Sequence, residues 1–261
     1  MADGSVQGVT HDRYAAAREV FEANLANGED VGASFCATVE GETVVDLWGG
    51  WADPGKTRPW TRDTIVNVYS TTKTMTALTA LLIADRGELD FDAPVAKYWP
   101  EFAANGKAGV KVSHLMSHAA GLSGWKEKLV TEDLYDWGKV TSLLAAQAPY
   151  WEPGTAPGYH ALTQGYLVGE VVRRITGKSL GTVFREEIAE PLGADFHIGL
   201  PASAGGGAIS SATRASSEAG SPMWKSAPSG SAISVRNTSP MVRPVMRRTT
   251  SASRYPWVTR W

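Results

Sequence analysis

The hydrophobic patterning of this 261-residue chain stops near Pro201, so any packed fold is limited to the residues before that point. Earlier apolar residues recur with helix-like or strand-like periods, whereas the later sequence is dominated by small, polar and arginine residues without a sustained period. The charge changes at the same place: eight basic residues against one acidic residue give the tail +7, and the total of −2 leaves −9 for residues 1–200. We therefore predict a patterned domain over residues 1–201 and an unpatterned basic tail over residues 202–261.

Three interpretations of the tail remain open. Its composition is typical of a disordered segment. A nucleic-acid-binding arm is disfavoured because its arginines are scattered rather than clustered. We favour an out-of-frame translation, since the composition changes abruptly at one point. Reading the coding DNA in the other two frames tests this interpretation, and it fails if neither frame continues a patterned domain.

The patterned part begins with a helical segment, continues through two strands, and then becomes largely helical. Gly28, Gly87, Gly121 and Gly177 mark the predicted helix ends. The predicted elements are a helix over 11–28, two strands around the turn Glu40-Gly41-Glu42, a helix after Ser70, a short helix before Gly121, and helices around 131–147 and 162–177. Met75, Leu78, Leu81 and Leu82 mark one apolar face of the helix after Ser70, which we expect to be buried.

Ser70 and Lys73 stand three positions apart at the start of that helix, in "VYSTTKTMTALTALLIADRG". Residues at i and i+3 project from the same helical face, so hydroxyl and amine can meet. A serine hydroxyl must lose its proton to a base as it attacks, and a lysine can be that base if burial lowers its pKa. A helix start also supplies backbone N–H donors that favour a developing oxyanion. The pair therefore predicts a nucleophilic serine.

The spacing alone is weak evidence, because about one S-x-x-K match is expected by chance in such a chain. The sequence contains a second match, Ser123 and Lys126, in the glycine-broken segment "GLSGWKEK". Ser70 could also be a purely structural helix cap. Context favours Ser70 as the nucleophile, since only Ser70 precedes a predicted buried helix.

Several segments in the same order resemble one family. They are "NVYSTTKTMTALTALLIADRGELDFDAPVAKYWPEF", "VSHLMSHAAGLSGW" and "PGTAPGYHALTQGYLVGEVVRRITGKSLGTVFREEIAEPLGADFHIGLP". Together they are similar to the serine hydrolases of the class C β-lactamase-like family, which includes carboxylesterases, D-aminopeptidases and acyltransferases. The likeness covers about residues 12–201 and is greatest to the esterase branch.

The resemblance implies an α+β fold of the β-lactamase/transpeptidase type, with an antiparallel sheet flanked by helices, a helical lobe, and a missing C-terminal part. It implies that Ser70 is the acylated nucleophile, Lys73 its activating base, and Tyr159 the tyrosine of the second family motif. The phenol would pass the proton to the leaving group. The expected reaction is hydrolysis of a small-molecule carboxylic ester, without cofactor or metal.

Two departures bear on the substrate. β-Lactamases of this family usually carry Tyr-x-Asn, but Ala161 follows Tyr159 and His160, and it cannot bind a β-lactam amide. The third motif, Lys-Thr-Gly or His-x-Gly, is not found; His197-Ile198-Gly199 has the letters but comes too early. Without that strand, the hairpin near residues 31–49 is expected to have exposed edges. A β-lactam or D-amino-acid amide hydrolase and a catalytically silent truncated homologue therefore remain alternatives.

Other partners are not expected. The small net charge gives no indication of nucleic-acid binding, and the longest apolar stretch, "ALTALLIA", is too short to cross a bilayer. The single cysteine, Cys36, and the absence of an apolar N-terminal segment favour a cytoplasmic location. His114 and His118 have a metal-compatible spacing but no third ligand follows them, so we expect them to cap or pack. The oligomeric state is not predicted.

Overall fold

The structure is a computed structural model that describes residues 4–198 and the backbone of residues 208–209. The strands and helices of this part, in chain order, are β1 (Gln7–Thr10), α1 (Ala15–Asn27), β2 (Gly32–Val39), β3 (Glu42–Gly50), β4 (Ile65–Val66), α2 (Thr72–Asp85), α3 (Val112–Met116), α4 (Trp137–Ala146), α5 (Thr163–Thr176), α6 (Leu180–Phe184) and β5 (Ala208–Ile209). A π-helical turn, Arg185–Ala189, continues α6. The predicted α+β class is confirmed.

The N-terminal sheet is antiparallel, with the order β1-β3-β2. Its hairpin turn falls at the predicted position: Glu40 and Gly41 have φ of 53° and 85°, and Val39 pairs with Glu42. Positive φ at both central residues is what a two-residue type I′ hairpin requires. Phe21 of α1 packs with the buried β3 residues Val45 and Leu47, so this sheet has a small core of its own.

The outer strand of the hairpin has an open edge within the described residues, as expected from the sequence. β2 pairs with β3 alone there, and its Phe35 and Val39 side chains are 46% and 43% exposed. An apolar edge strand of this kind is a template for further strand pairing.

The helices surround a separate and larger core. α5 is its central element, because most of its residues from Thr163 to Val172 are buried. Its apolar residues share one cluster with Ala80 and Ile83 of α2 and with Val140 and Leu144 of α4. Gly177 then ends α5 in the left-handed conformation, with φ of 72°, which a glycine adopts without the usual steric penalty.

The buried face of α2 differs from the predicted one. Thr72, Thr76, Thr79, Ala80 and Ile83 are buried, whereas Leu78 and Leu81 are 41% and 37% exposed. Small residues let α2 approach α5 and α6 closely, which explains why the threonine and alanine side faces the core. Met75 and Leu82 are partly buried and pack against the cluster around Phe184, so the prediction was wrong only for Leu78 and Leu81, where hydrophobicity alone ranked leucine above these smaller residues.

Two short strands lie outside the N-terminal sheet. β4 and β5 form a short parallel pair, Ile65 with Ala208 and Val66 with Ile209. No helix in residues 4–198 has the length and apolar character needed to span a bilayer. The predicted tail over residues 202–261 falls outside the described residues except for β5.

Candidate active site

Ser70 lies on an exposed tight turn, Tyr69–Thr71, that leads directly into α2. Asn67 Oδ1 accepts a hydrogen bond from the Tyr69 N–H at 3.0 Å, and Thr72 Oγ1 donates to the Tyr69 carbonyl at 2.5 Å. Tyr69 has φ of 45°, a left-handed conformation that costs a non-glycine residue roughly 1 kcal/mol or more. Hydrogen bonds to both the N–H and the carbonyl of Tyr69, the residue before Ser70, therefore hold the turn.

Lys73 projects from the first turn of α2 on the same side as Ser70. Its Nζ is 3.3 Å from Ser70 Oγ and donates to the Ala161 carbonyl at 2.7 Å. The expected juxtaposition of hydroxyl and amine is therefore present. The expected burial of the amine is only partial, because the Lys73 side chain is half-buried at the edge of the lobe.

The contact between Lys73 and Ala161 bears on the asparagine that is missing from the Tyr-x-Asn motif. The carbonyl that orients Lys73 belongs to the backbone, so it does not depend on the side chain at position 161. An asparagine amide is absent, but the backbone carbonyl of residue 161 accepts the hydrogen bond from Lys73 Nζ.

Tyr159 completes the cluster from a loop before α5. Lys73 Nζ lies 5.0 Å from the centre of the Tyr159 ring, and the side chain is 57% exposed. The hydrogen bond from Ser70, together with the hydrogen bond and charge of Lys73, holds the pKa of Tyr159 below its usual range. The structure thus brings Ser70, Lys73 and Tyr159 together, although they come from two distant parts of the chain.

The loop that carries Tyr159 is bonded to the segment after α3. Gly158 N–H donates to the His118 carbonyl at 2.9 Å, and His160 N–H donates to His118 Nδ1 at 3.1 Å. Leu122 N–H donates to Nε2 of the fully buried His160 at 3.0 Å. Burial is the main cause that lowers the pKa of His160.

His118 was not predicted to lie at the site. Its ring centroid is 4.9 Å from that of Tyr159, and it contacts both neighbours of that tyrosine. The histidine spacing was visible in the sequence, but only the fold places the second histidine against the tyrosine loop. His114 behaves as expected at the start of α3, where its Nδ1 accepts from the Lys111 N–H at 3.4 Å.

The second S-x-x-K match has no comparable geometry. Ser123 and Lys126 lie in an irregular segment, and the Lys126 ammonium sits 5.4 Å from the centre of the Tyr150 ring. Lys126 N–H donates to Gln147 Oε1.

The early His-x-Gly match, His197-Ile198-Gly199, makes its contacts with other residues. His197 Nε2 pairs with Asp195 Oδ1 at 2.6 Å, and Ile198 packs beside Gly181 of α6. Gly199 falls outside the described residues. Within residues 4–198, no group of three or more His, Cys, Asp or Glu side chains is placed to hold a metal ion.

Comparison with known proteins agrees with this fold. The profile of the Beta-lactamase family matches residues 17–239, which extends past the predicted boundary at residue 201. The esterase/beta-lactamase LipL of Mycobacterium tuberculosis (strain ATCC 25618 / H37Rv) is 42% identical over 197 residues, covering 75% of this chain and 46% of LipL.

Two solved structures are similar over most of the described part. A family VIII carboxylesterase shares 52% identity with a TM-score of 0.75, covering 78% of this chain and 57% of that one. A penicillin-binding protein homologue from Caulobacter crescentus shares 46% identity with a TM-score of 0.76, covering 78% and 55%.

The fold is that of the β-lactamase/transpeptidase-like proteins, as the sequence predicted. The chain belongs to the Beta-lactamase family. It spans about half the length of the curated relatives it matches.

Proposed function

We propose that this protein is a serine hydrolase that cleaves small carboxylic esters through an acyl-enzyme on Ser70. The observation that carries the proposal is the convergence of Lys73 Nζ, 3.3 Å away, and the Tyr159 phenol on the Ser70 hydroxyl. A nucleophile needs a base within hydrogen-bond reach, and this cluster supplies two candidate groups for that role.

In the proposed reaction, Ser70 Oγ attacks the ester carbonyl and its proton passes to Lys73 or Tyr159. The tetrahedral intermediate collapses as the same proton is delivered to the leaving alcohol through the Tyr159 oxygen, which leaves Ser70 acylated and returns Lys73 and Tyr159 to their starting protonation states. Water then attacks the acyl group and gives a proton to the same groups, and that proton returns to Ser70 Oγ as the carboxylic acid leaves. The lowered pKa of Tyr159 suits this exchange, because a phenol that titrates nearer neutrality gives and takes a proton more readily.

An ester is the favoured substrate for two reasons. The names of LipL and of the family VIII carboxylesterase both include an esterase activity. Ala161 also lacks the amide that would bind a β-lactam side chain, whereas ester cleavage requires less positioning of the substrate.

Hydrolysis of a β-lactam or D-amino-acid amide is the second candidate. The name of LipL also includes β-lactamase, and the Caulobacter crescentus structure is a penicillin-binding protein homologue. A chromogenic cephalosporin such as nitrocefin separates this candidate from the first, because the ester proposal predicts much faster turnover of the ester.

The test is turnover of p-nitrophenyl butyrate by the full chain, by Ser70→Ala and by Ser123→Ala. The Ser123 variant is the matched control, since it removes the serine of the other S-x-x-K match. We expect turnover in the wild type and Ser123→Ala and loss of at least about 100-fold in Ser70→Ala. Equal turnover in all three refutes the nucleophile assignment. A folded wild type without turnover supports the silent-homologue alternative.

We further propose a cytoplasmic location and no nucleic-acid or membrane partner. The single cysteine and the near-neutral total charge support this proposal. Fractionation of the cells that express the chain, followed by immunodetection, tests it; recovery in the membrane or secreted fraction contradicts it.

A further inference from the structure

One residue contacts the site tyrosine and both of its neighbours. The His118 carbonyl accepts from Gly158 N–H at 2.9 Å, and its imidazole Nδ1 accepts from His160 N–H at 3.1 Å. The imidazole ring also lies against the Tyr159 ring, with centroids 4.9 Å apart and planes tilted by 56°. The backbone carbonyl, the ring and the ring nitrogen of His118 therefore contact three consecutive residues, Gly158, Tyr159 and His160.

The backbone of His118 makes this triple contact possible. Its φ is 60°, in the left-handed region, and it follows Ser117, the C-cap residue of α3. A left-handed residue reverses the direction of the chain, so the carbonyl and the side chain of His118 can face the same loop. Histidine and asparagine are among the non-glycine residues that most readily adopt this conformation.

We propose that His118 is a positioning residue that fixes Tyr159 beside Ser70, and that protonation of its imidazole releases the tyrosine. The inference rests on the proposed function of Tyr159 as a proton-transfer group. His118 contacts neither Ser70 nor a substrate in this account; it acts through the tyrosine and its two flanking peptides.

The protonation state follows from the direction of one hydrogen bond. Because His160 N–H donates to His118 Nδ1, that nitrogen must carry a lone pair, and the doubly protonated imidazolium has none to offer. The titratable groups that face His118 are Lys73 from α2, and Tyr159 and His160 from the tyrosine loop. Burial, and then the positive charge of Lys73, lower the pKa of His118, so its imidazole is neutral at pH 7.

Three variants separate these contacts. His118→Phe keeps a ring against Tyr159 but removes the acceptor. His118→Asn places an oxygen near the position of Nδ1, tolerates the left-handed backbone and does not titrate. His114→Phe is the matched control, since it removes the same kind of nitrogen acceptor four residues earlier, where the partner is the Lys111 N–H.

The first measurement is amide hydrogen exchange of His160 by NMR, with the amide of the buried Val171 in α5 as an internal reference. We expect His118→Phe to speed exchange at His160 by about tenfold, and His118→Asn and His114→Phe to leave it nearly unchanged. In the wild type, protection at His160 should fall as the pH is lowered below the ordinary histidine pKa of about 6.5, after correction for the intrinsic rate, and in His118→Asn it should not. Unchanged protection in His118→Phe, or a pH response shared by His118→Asn, overturns the proposal.

The second measurement is the pH profile of ester turnover. A misplaced Tyr159 slows proton transfer rather than substrate binding, so His118→Phe should lower kcat by about 10-fold to 100-fold with little change in KM. His118→Asn should retain more activity and lose the part of the acidic limb that protonation of His118 contributes, so its turnover should fall less steeply at acidic pH. A loss confined to KM, or an unchanged acidic limb in His118→Asn, also overturns the proposal. If the wild type shows no turnover, the proposed function fails separately, and the exchange experiment still decides whether His118 holds the loop.

Discussion

Lys73, one of the two groups proposed to take the Ser70 proton, is the residue on which the proposed chemistry depends most. Lys73→Arg replaces its amine with a guanidinium that stays protonated and cannot accept a proton. We therefore expect kcat for p-nitrophenyl butyrate to fall by about 100-fold or more, with circular dichroism unchanged.

A matched control exists elsewhere on the surface. Lys97 is an exposed lysine whose ammonium lies 5.1 Å from the centre of the Tyr98 ring, almost the same distance as between Lys73 and Tyr159. Lys97→Arg should leave kcat within about twofold of the wild type. Retention of wild-type turnover by Lys73→Arg would show that position 73 does not accept the proton.

At the residue scale, the sequence predicted those parts of the site that local spacing encodes. Ser70 and Lys73 are three residues apart, so helical geometry alone brings them together. The Ala161 carbonyl and His118 were not predicted, because their contacts join residues far apart in the chain. Lys73 and Ala161, for example, are separated by 88 positions. Such contacts become visible only when the tyrosine loop is placed against the start of α2.

At the element scale, a buried lysine joins the loop after residue 103 to the end of α4. Lys107 is fully buried, and its Nζ donates to the carbonyls of Ala104, at 2.7 Å, and Gln147. Burial, and then the charge of Lys126, lower the pKa of Lys107 from 10.5 to about 8. The Lys107 ammonium is thus held by neutral carbonyls, and the charge that acts on its pKa is that of another cation, Lys126.

The buried lysine predicts a specific pH dependence of stability. Between pH 8 and pH 10.5 the unfolded chain binds more protons at Lys107 than the folded protein does, so the free energy of unfolding should rise with pH across this range. Other lysines and tyrosines titrate here too, so the measurement is the difference between the wild type and Lys107→Met in urea unfolding. That difference should increase with pH in favour of the wild type. A difference that is constant from pH 7 to pH 10.5 contradicts the assignment.

The unexpected orientation of α2 gives a second prediction at this scale. Because Leu78 and Leu81 are partly exposed, the double change Leu78→Gln and Leu81→Gln should cost no more than about 1 kcal/mol of unfolding free energy. Ile83→Ala, on the fully buried face of the same helix, should cost about 3 kcal/mol. Urea unfolding of both variants tests the orientation. A larger loss from the leucine changes than from Ile83→Ala would support the original prediction.

The turns, the helix ends and the buried face of α2 show which features of the fold can be predicted from the sequence. Most turn and stop residues were reliable: Glu40-Gly41 closes the hairpin, and Gly28 and Gly177 end α1 and α5, whereas α3 ends at Met116, before the predicted Gly121. These positions depend on backbone conformations that few residues adopt. The buried face of α2 was not reliable, because it depends on the shape of α5 and α6 rather than on local hydrophobicity.

At the scale of the whole molecule, the described residues contain three hydrophobic clusters, the third of them a small one around Phe184 and Ile188, and one candidate site. The sheet has its own cluster around Phe21 and Leu47, and the helical cluster includes the buried part of α2 and most of α5. Ser70 and Tyr159 come from distant parts of the helical lobe's sequence, and both approach Lys73 at its surface. The proposed chemistry therefore depends on the helical lobe being folded, and the sheet is not required for these contacts.

The central claim is that Ser70 carries an activated hydroxyl. Reaction of the full chain with a fluorophosphonate probe, followed by peptide mass spectrometry, tests it without knowledge of the substrate. The account predicts one adduct, on Ser70, and its loss in both Ser70→Ala and Lys73→Arg. An adduct on another residue, or labelling of Ser70 that is unchanged in Lys73→Arg, would contradict the account.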